Sequence, residues 1–98
     1  MTDSTDIWTA TVRITPDVLH QELGGETVLL NLASESYFGL DEVGTFVWQV
    51  LEKQGRADAA LSAVLTQFDV KAEQARADIE RLITELVAAG LVTIEAHA

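Results

Sequence analysis

The chain has 98 residues with 48% hydrophobic content, enough for one small domain around a single core and too little for a second. It contains no cysteine, which excludes disulfides, thiolate metal sites, iron–sulfur clusters and a cysteine nucleophile. Sixteen acidic residues against six basic ones leave a formal net charge of −10 with no basic block, so a phosphate backbone would be repelled.

Residues 1–11 read as a loose tail in which Ile7 and Trp8 are the candidates for anchoring. The tail holds Asp3 and Asp6 and lacks the basic start and long apolar run of a signal peptide. No run of roughly 18 apolar residues is present to span a bilayer, so a soluble, cytoplasmic protein is expected. One domain is expected over 12–94, followed by a flexible end at 95–98.

Residues 12–15 and 18–23, interrupted by Pro16, read as a first strand that the proline confines to an edge or a strand entrance. Gly24-Gly25 turns it into a second strand. There Val28, Leu30 and Leu32 recur at every second residue, Ala33-Ser34-Glu35-Ser36 breaks the alternation, and Phe38 and Leu40 resume it in a third strand. This is a hairpin with one expected greasy face. Asp41 follows at once as an N-cap, with Glu42 adding negative charge to the first helical turn.

The first helix is expected over 42–53, with Val43, Phe46, Val47, Val50 and Leu51 inward and Trp48 on a flank. Gly44 costs about 1 kcal/mol in a helix interior relative to alanine, which points to close approach of a neighbouring strand. Gln54-Gly55 ends this helix. A second over 58–68 places Leu61, Val64, Leu65 and Phe68 at helical spacing, with Asp58 as cap or first-turn charge. The third spans 72–89, stops at Gly90, and leaves 91–94 as a short apolar tail.

On a helical wheel of the third helix, Ala75, Ile79, Leu82, Leu86 and Ala89 form the expected core line. One flank, with Lys71, Gln74, Asp78, Arg81 and Glu85, is polar throughout. The other carries Ala72, Arg76, Ile83 and Val87, with Glu80 at its margin. A strip widened in this way either packs on another helix or lines a groove.

Catalytic residues are not evident. His20 lies in an expected strand, as a surface residue, and His97 at the chain end, with no metal-ligand spacing. The serines lack a Gly-x-Ser-x-Gly elbow, and Gly24-Gly25 fits no phosphate-loop pattern. Neither a cofactor nor a metal is expected.

The run Thr27 to Leu32, then Tyr37-Phe38-Gly39-Leu40-Asp41-Glu42-Val43-Gly44, then Val47-Trp48, and a closing Glu85-Leu86-Val87-Ala88-Ala89-Gly90-Leu91-Val92 resemble the PqqD-like family. Its recurring wording is a YFGLNEVG…W block, two further short helices and an L…GL end. The likeness covers about 14–94, and the central block is fairly specific because strand, tight helix entry, helical glycine and tryptophan occur in order. Asp41 stands for the usual asparagine, while Lys71 and Ala72 stand where an acidic cap and a proline are usual. Tyr37-Phe38-Gly39-Leu40 and Trp48 depart from the wording of the name-giving pyrroloquinoline quinone protein, so the chain looks more like free-standing leader-binding proteins of lasso-peptide systems.

The resemblance implies an α+β, winged-helix-like fold with an N-terminal three-stranded antiparallel sheet followed by three helices. It also implies a non-catalytic function: capture of the leader segment of a ribosomally made precursor peptide by strand addition between the third strand and the third helix. The captured leader would be presented to a separate leader peptidase or modifying enzyme, by a monomer or weak dimer. Tyr37, Phe38 and Gly39 would supply the edge, and Ala72, Arg76, Ile79, Glu80, Ile83 and Val87 the wall. The alternatives are a peptide chaperone or accessory subunit for a radical-SAM or other modifying enzyme, and a winged-helix DNA-binding regulator. The latter is disfavoured because the third helix offers only Arg76 and Arg81 against Asp78, Glu80 and Glu85. On this reading Ile83→Asp or Val87→Asp abolishes leader binding, and Leu82→Asp unfolds the domain.

Overall fold

The computed structural model describes residues 7–95. Five strands and three helices follow in chain order: β1 Thr11–Ile14, β2 Val18–Leu23, β3 Glu26–Asn31, β4 Ser36–Leu40, α1 Glu42–Gln54, α2 Ala57–Gln67, α3 Ala72–Ala88 and β5 Val92–Glu95. The expected α+β architecture, a three-stranded antiparallel sheet followed by three helices, is present as the meander β2-β3-β4 with α1–α3 after it.

Two parts of the strand reading are corrected. The expected first strand is two strands in different sheets, because Pro16 has no N–H to donate to a ladder and the chain turns a corner there. On one side of the corner, β1 pairs antiparallel with β5, from Thr11 opposite Glu95 to Ile14 opposite Val92. The apolar tail after Gly90 is therefore a strand whose partner comes from the N-terminal part of the chain. Arg13 Nε and Nη2 donate to the Glu95 carboxylate at 2.9 and 3.0 Å across that two-stranded sheet.

The second correction concerns the hairpin face. Leu29 pairs with Phe38 and Thr27 with Leu40, so those four share the inner face, and Val28 and Leu30 stand opposite Gly39 and Tyr37 on the outer one. Leu29 is fully buried, whereas Val28 and Leu32 are exposed. Both phases of Val28-Leu29-Leu30 are apolar, so alternation alone selects the phase that avoids Thr27 and Asn31. The fold buries both of those polar residues.

Asn31 can be buried because all its polar atoms are used. Its Nδ2 donates to the carbonyls of Ala89 (3.3 Å) and Gly90 (3.1 Å), and its Oδ1 accepts from the N–H of Ala33 at 2.9 Å. Gly90 sits at φ +74°, Leu91 N–H donates to Leu86 O, and Gly90 N–H donates to Val87 O, the two bonds of a Schellman stop.

Asp41 caps α1 as its position implies, its carboxylate accepting from Gly44 N–H at 2.8 Å. A Cβ at Gly44 would lie 3.2 Å from the capping oxygen and 3.3 Å from Leu40 Cδ2, so the expected close approach is to the end of β4. Trp48 is a correction: it is almost wholly buried, among the largest side chains of the core rather than a flank residue. Phe46 meets Phe68 edge-on at 5.4 Å. α2 is capped by backbone geometry at Arg56, with Asp58 as first-turn charge and Ala57, Ala60 and Val64 inward.

Of the expected tail, residues 1–6 lie outside the described residues, as do 96–98 of the expected flexible end. Trp8 and Ala10 are buried, so the anchoring at Trp8 is real. No helix among the described residues is long and apolar enough to cross a membrane.

Candidate functional site

The strand β4 is paired with β3 on one side only; among the described residues nothing pairs with its other side. An edge strand directs alternate N–H and C=O groups outward, ready to pair with another extended chain. Along this edge runs a cleft of about 360 Å³. Phe38 and Leu40 of β4, Val43 and Val47 of α1, and Ala75, Ile79 and Leu82 of α3 line it, together with Val64 and Val70. Asp78, Arg81 and Glu85 stand on the α3 side of the same cleft.

Burial along α3 explains which face meets the cleft. The buried positions are Ala75, Ile79, Ile83 and Leu86, so the inward line is turned roughly 35° from the expected one, taking 100° per residue. Ile83 is fully buried in place of Leu82, which is half-buried beside the cleft. On the opposite flank the Arg76 guanidinium sits 4.3 Å from the centroid of the Trp8 ring. There Trp8 of the N-terminal segment packs on Arg76 of the mixed strip, whose Ala72, Glu80 and Val87 stay exposed.

Of the nine residues singled out from sequence, the structure brings Phe38, Gly39 and Ile79 together in the cleft. Tyr37 lies beside them in β4 but on the outer face, 74% exposed. The remaining five do not line the cleft. Ala72 begins α3, Arg76 is stacked on Trp8, and Glu80 is exposed with its carbonyl accepting from Thr84 Oγ1 at 2.8 Å. Ile83 is in the core, and Val87 is exposed away from the cleft. The α3 residues that line the cleft are Asp78, Arg81 and Glu85 of the flank that reads as solvated, together with Ala75, Ile79 and Leu82.

The cleft is apolar at its base and acidic at its rim. Asp41, Asp78 and Glu85 face it with Arg81, whose Nη2 lies 3.3 Å from Asp78 Oδ1. Gln74 Nε2 also donates to Asp78 at 2.9 Å, which fixes that carboxylate one turn along α3. Among the described residues no group of three or more potential metal ligands occurs. The arrangement suits a segment that brings backbone donors and acceptors to β4 and apolar side chains to α3.

Comparison with known proteins gives three findings. A family model described as Coenzyme PQQ synthesis protein D (PqqD) matches residues 26–92. The structure of TbiB1 in complex with the TbiA(beta) leader peptide superposes with a TM-score of 0.77 at 29% identity, over 88% of this chain and 98% of that one. Lasso peptide synthetase B1 complexed with the leader peptide superposes at 0.76 and 23% identity, over 86% and 99%, and supports the fold alone. No curated protein sequence matches the chain.

Proposed function

The chain belongs to the PqqD family, and we propose that it binds the leader segment of a ribosomally synthesised precursor peptide, of the lasso type, in the cleft between β4 and α3. The leader adds as a fourth strand to β2-β3-β4, and its side chains on the α3 side occupy the pockets formed by Phe38, Ile79 and Leu82. The protein contributes binding and no chemistry of its own; a separate leader peptidase or modifying enzyme acts on the peptide it presents.

The observation that carries this reading is the one-sided pairing of β4 next to an apolar cleft. A relative of nearly the same length, similar over most of both chains, was solved with a leader peptide. Nucleic acid as the guest is disfavoured by the acidic rim and by Arg76, one of the two arginines of α3, which is engaged with Trp8.

The test is isothermal titration of the chain with synthetic leaders of short precursors encoded near its gene, with the TbiA(beta) leader as reference. Binding that is lost in Val70→Asp, a 41%-exposed position of the cleft where a charge is tolerated by the fold, is the expected result. Binding that persists unchanged in that variant and in Leu82→Asp places the peptide elsewhere.

A further inference from the structure

Gly39 has neither of the usual reasons for a glycine in a strand. Its φ is not positive, and a Cβ built on it meets nothing within 4 Å. Within this chain a β-branched residue would fit there and favour the strand more. The bare position therefore has no explanation in the protein's own packing.

Its surroundings supply one. Gly39 pairs with Val28, and Val28 with Gln21, forming a row on the outer face of the sheet. A second depression, of about 380 Å³, lies on that face over Leu23, Glu26 and Val28. Gly39, Leu40 and Asp41 border both this depression and the cleft beside α3, so the two flank the same end of β4. Leu23 and Val28 are 65% and 44% exposed, and Tyr37 stands on the same face two residues before Gly39. Apolar side chains are thus displayed where no part of the described chain covers them.

We propose that the outer depression is a second subsite for the added strand, which takes a broad apolar side chain, aromatic by preference, from the guest residue that pairs beside Gly39. The inference rests on the leader reading above. Side chains of an extended guest alternate between faces, so those not entering the cleft point to the outer face. A ring there lies flat across the glycine backbone and reaches Val28, one strand further in, as aromatic neighbours do over edge glycines. Any side chain at position 39 would stand in its way. Gln21, Glu26 and Asp41 at the margin leave the outer edge of the ring facing polar groups.

The test is a double-mutant cycle between Gly39→Val and the peptide. The probe is the tightest binder from a displayed library of random 20-residue peptides, panned on the wild-type chain and counter-selected on Val70→Asp; each of its residues is then replaced by alanine. The melting temperature of Gly39→Val should equal or exceed that of the wild type, which separates binding effects from unfolding. The parent peptide should bind Gly39→Val about fivefold more weakly, and alanine at one aromatic position should cost the wild-type protein a similar factor and cost Gly39→Val nothing. Equal affinity of both proteins for every peptide, with Val70→Asp still defective, overturns the outer subsite and leaves the leader reading intact. A library that yields no peptide dependent on Val70 overturns both. Coupling at a peptide position that also couples to Leu82 overturns the proposal too, since that side chain would occupy the cleft.

Discussion

The Asn31 side-chain amide donates to the carbonyl of Gly90 at 3.1 Å, and a Cβ at Gly90 would come within 3.0 Å of that same nitrogen. This contact joins the end of β3 to the stop of α3, and β3 in turn holds β4, so it helps set the spacing between the two walls of the cleft. A strand–helix bolt of this kind depends on both the amide and the missing side chain.

Asn31→Leu should therefore lower stability by about 1–3 kcal/mol, since the carbonyls of Ala89 and Gly90 and the N–H of Ala33 lose their partner. Gly90→Ala should also destabilise, by roughly 1–2 kcal/mol, because the left-handed φ of +74° is strained for alanine and the methyl crowds Asn31. Urea unfolding checks both. An unchanged midpoint in Asn31→Leu would show that the bolt contributes nothing.

Ile83→Asp should unfold the domain, at a cost of about 4 kcal/mol or more, because a carboxylate would enter a fully buried position. Leu82→Asp, half-buried beside the cleft, should keep the circular dichroism of the wild type and lose peptide binding. This order is the reverse of what the bare helical wheel suggests, and the paired measurement of dichroism and titration decides it.

Arg76→Ala should cost roughly 0.5–1 kcal/mol of stability, the contribution of a partly exposed cation over an indole ring, and leave peptide affinity within error. A tenfold loss of affinity in this variant would return the binding surface to the mixed strip.

Arg56 holds the Asp58 carboxyl below its ordinary value by a paired hydrogen bond at 2.9 Å, at the start of a helix without a side-chain cap. Because the folded-state pKa is lowered, the stabilisation is present above the ordinary value of 3.8 and fades as pH falls through the folded value. The wild type should melt slightly above Asp58→Asn near neutral pH, and the gap should close in strong acid. Both groups are largely exposed, so the gap is small and added salt should narrow it.

Asp41, Asp78 and Glu85 at the cleft, with a net charge of −10 on the chain, should speed association with a lysine-bearing leader. Stopped-flow association rates for such a peptide should fall as salt is raised; a rate independent of salt removes electrostatic steering.

Features legible in the residues alone are local. The cap at Asp41, the glycine stops at 55 and 90, the Gly24-Gly25 turn and the extent of the three helices follow from short-range backbone chemistry, and each is found where the residues imply. The family likeness rests on the same stretch, residues 26–92. Which face of each element turns inward depends on long-range packing. In β3 both phases are apolar, and the bonds from Asn31 to the end of α3 choose the phase that buries it. In α3 Ile83 enters the core that Trp8 also joins, and Leu82 reaches the cleft instead. The pairing of β1 with β5 joins segments from opposite ends of the chain. Periodicity reports how apolar a face is, but the partner that covers it comes from elsewhere in the chain, and that partner fixes the rotation.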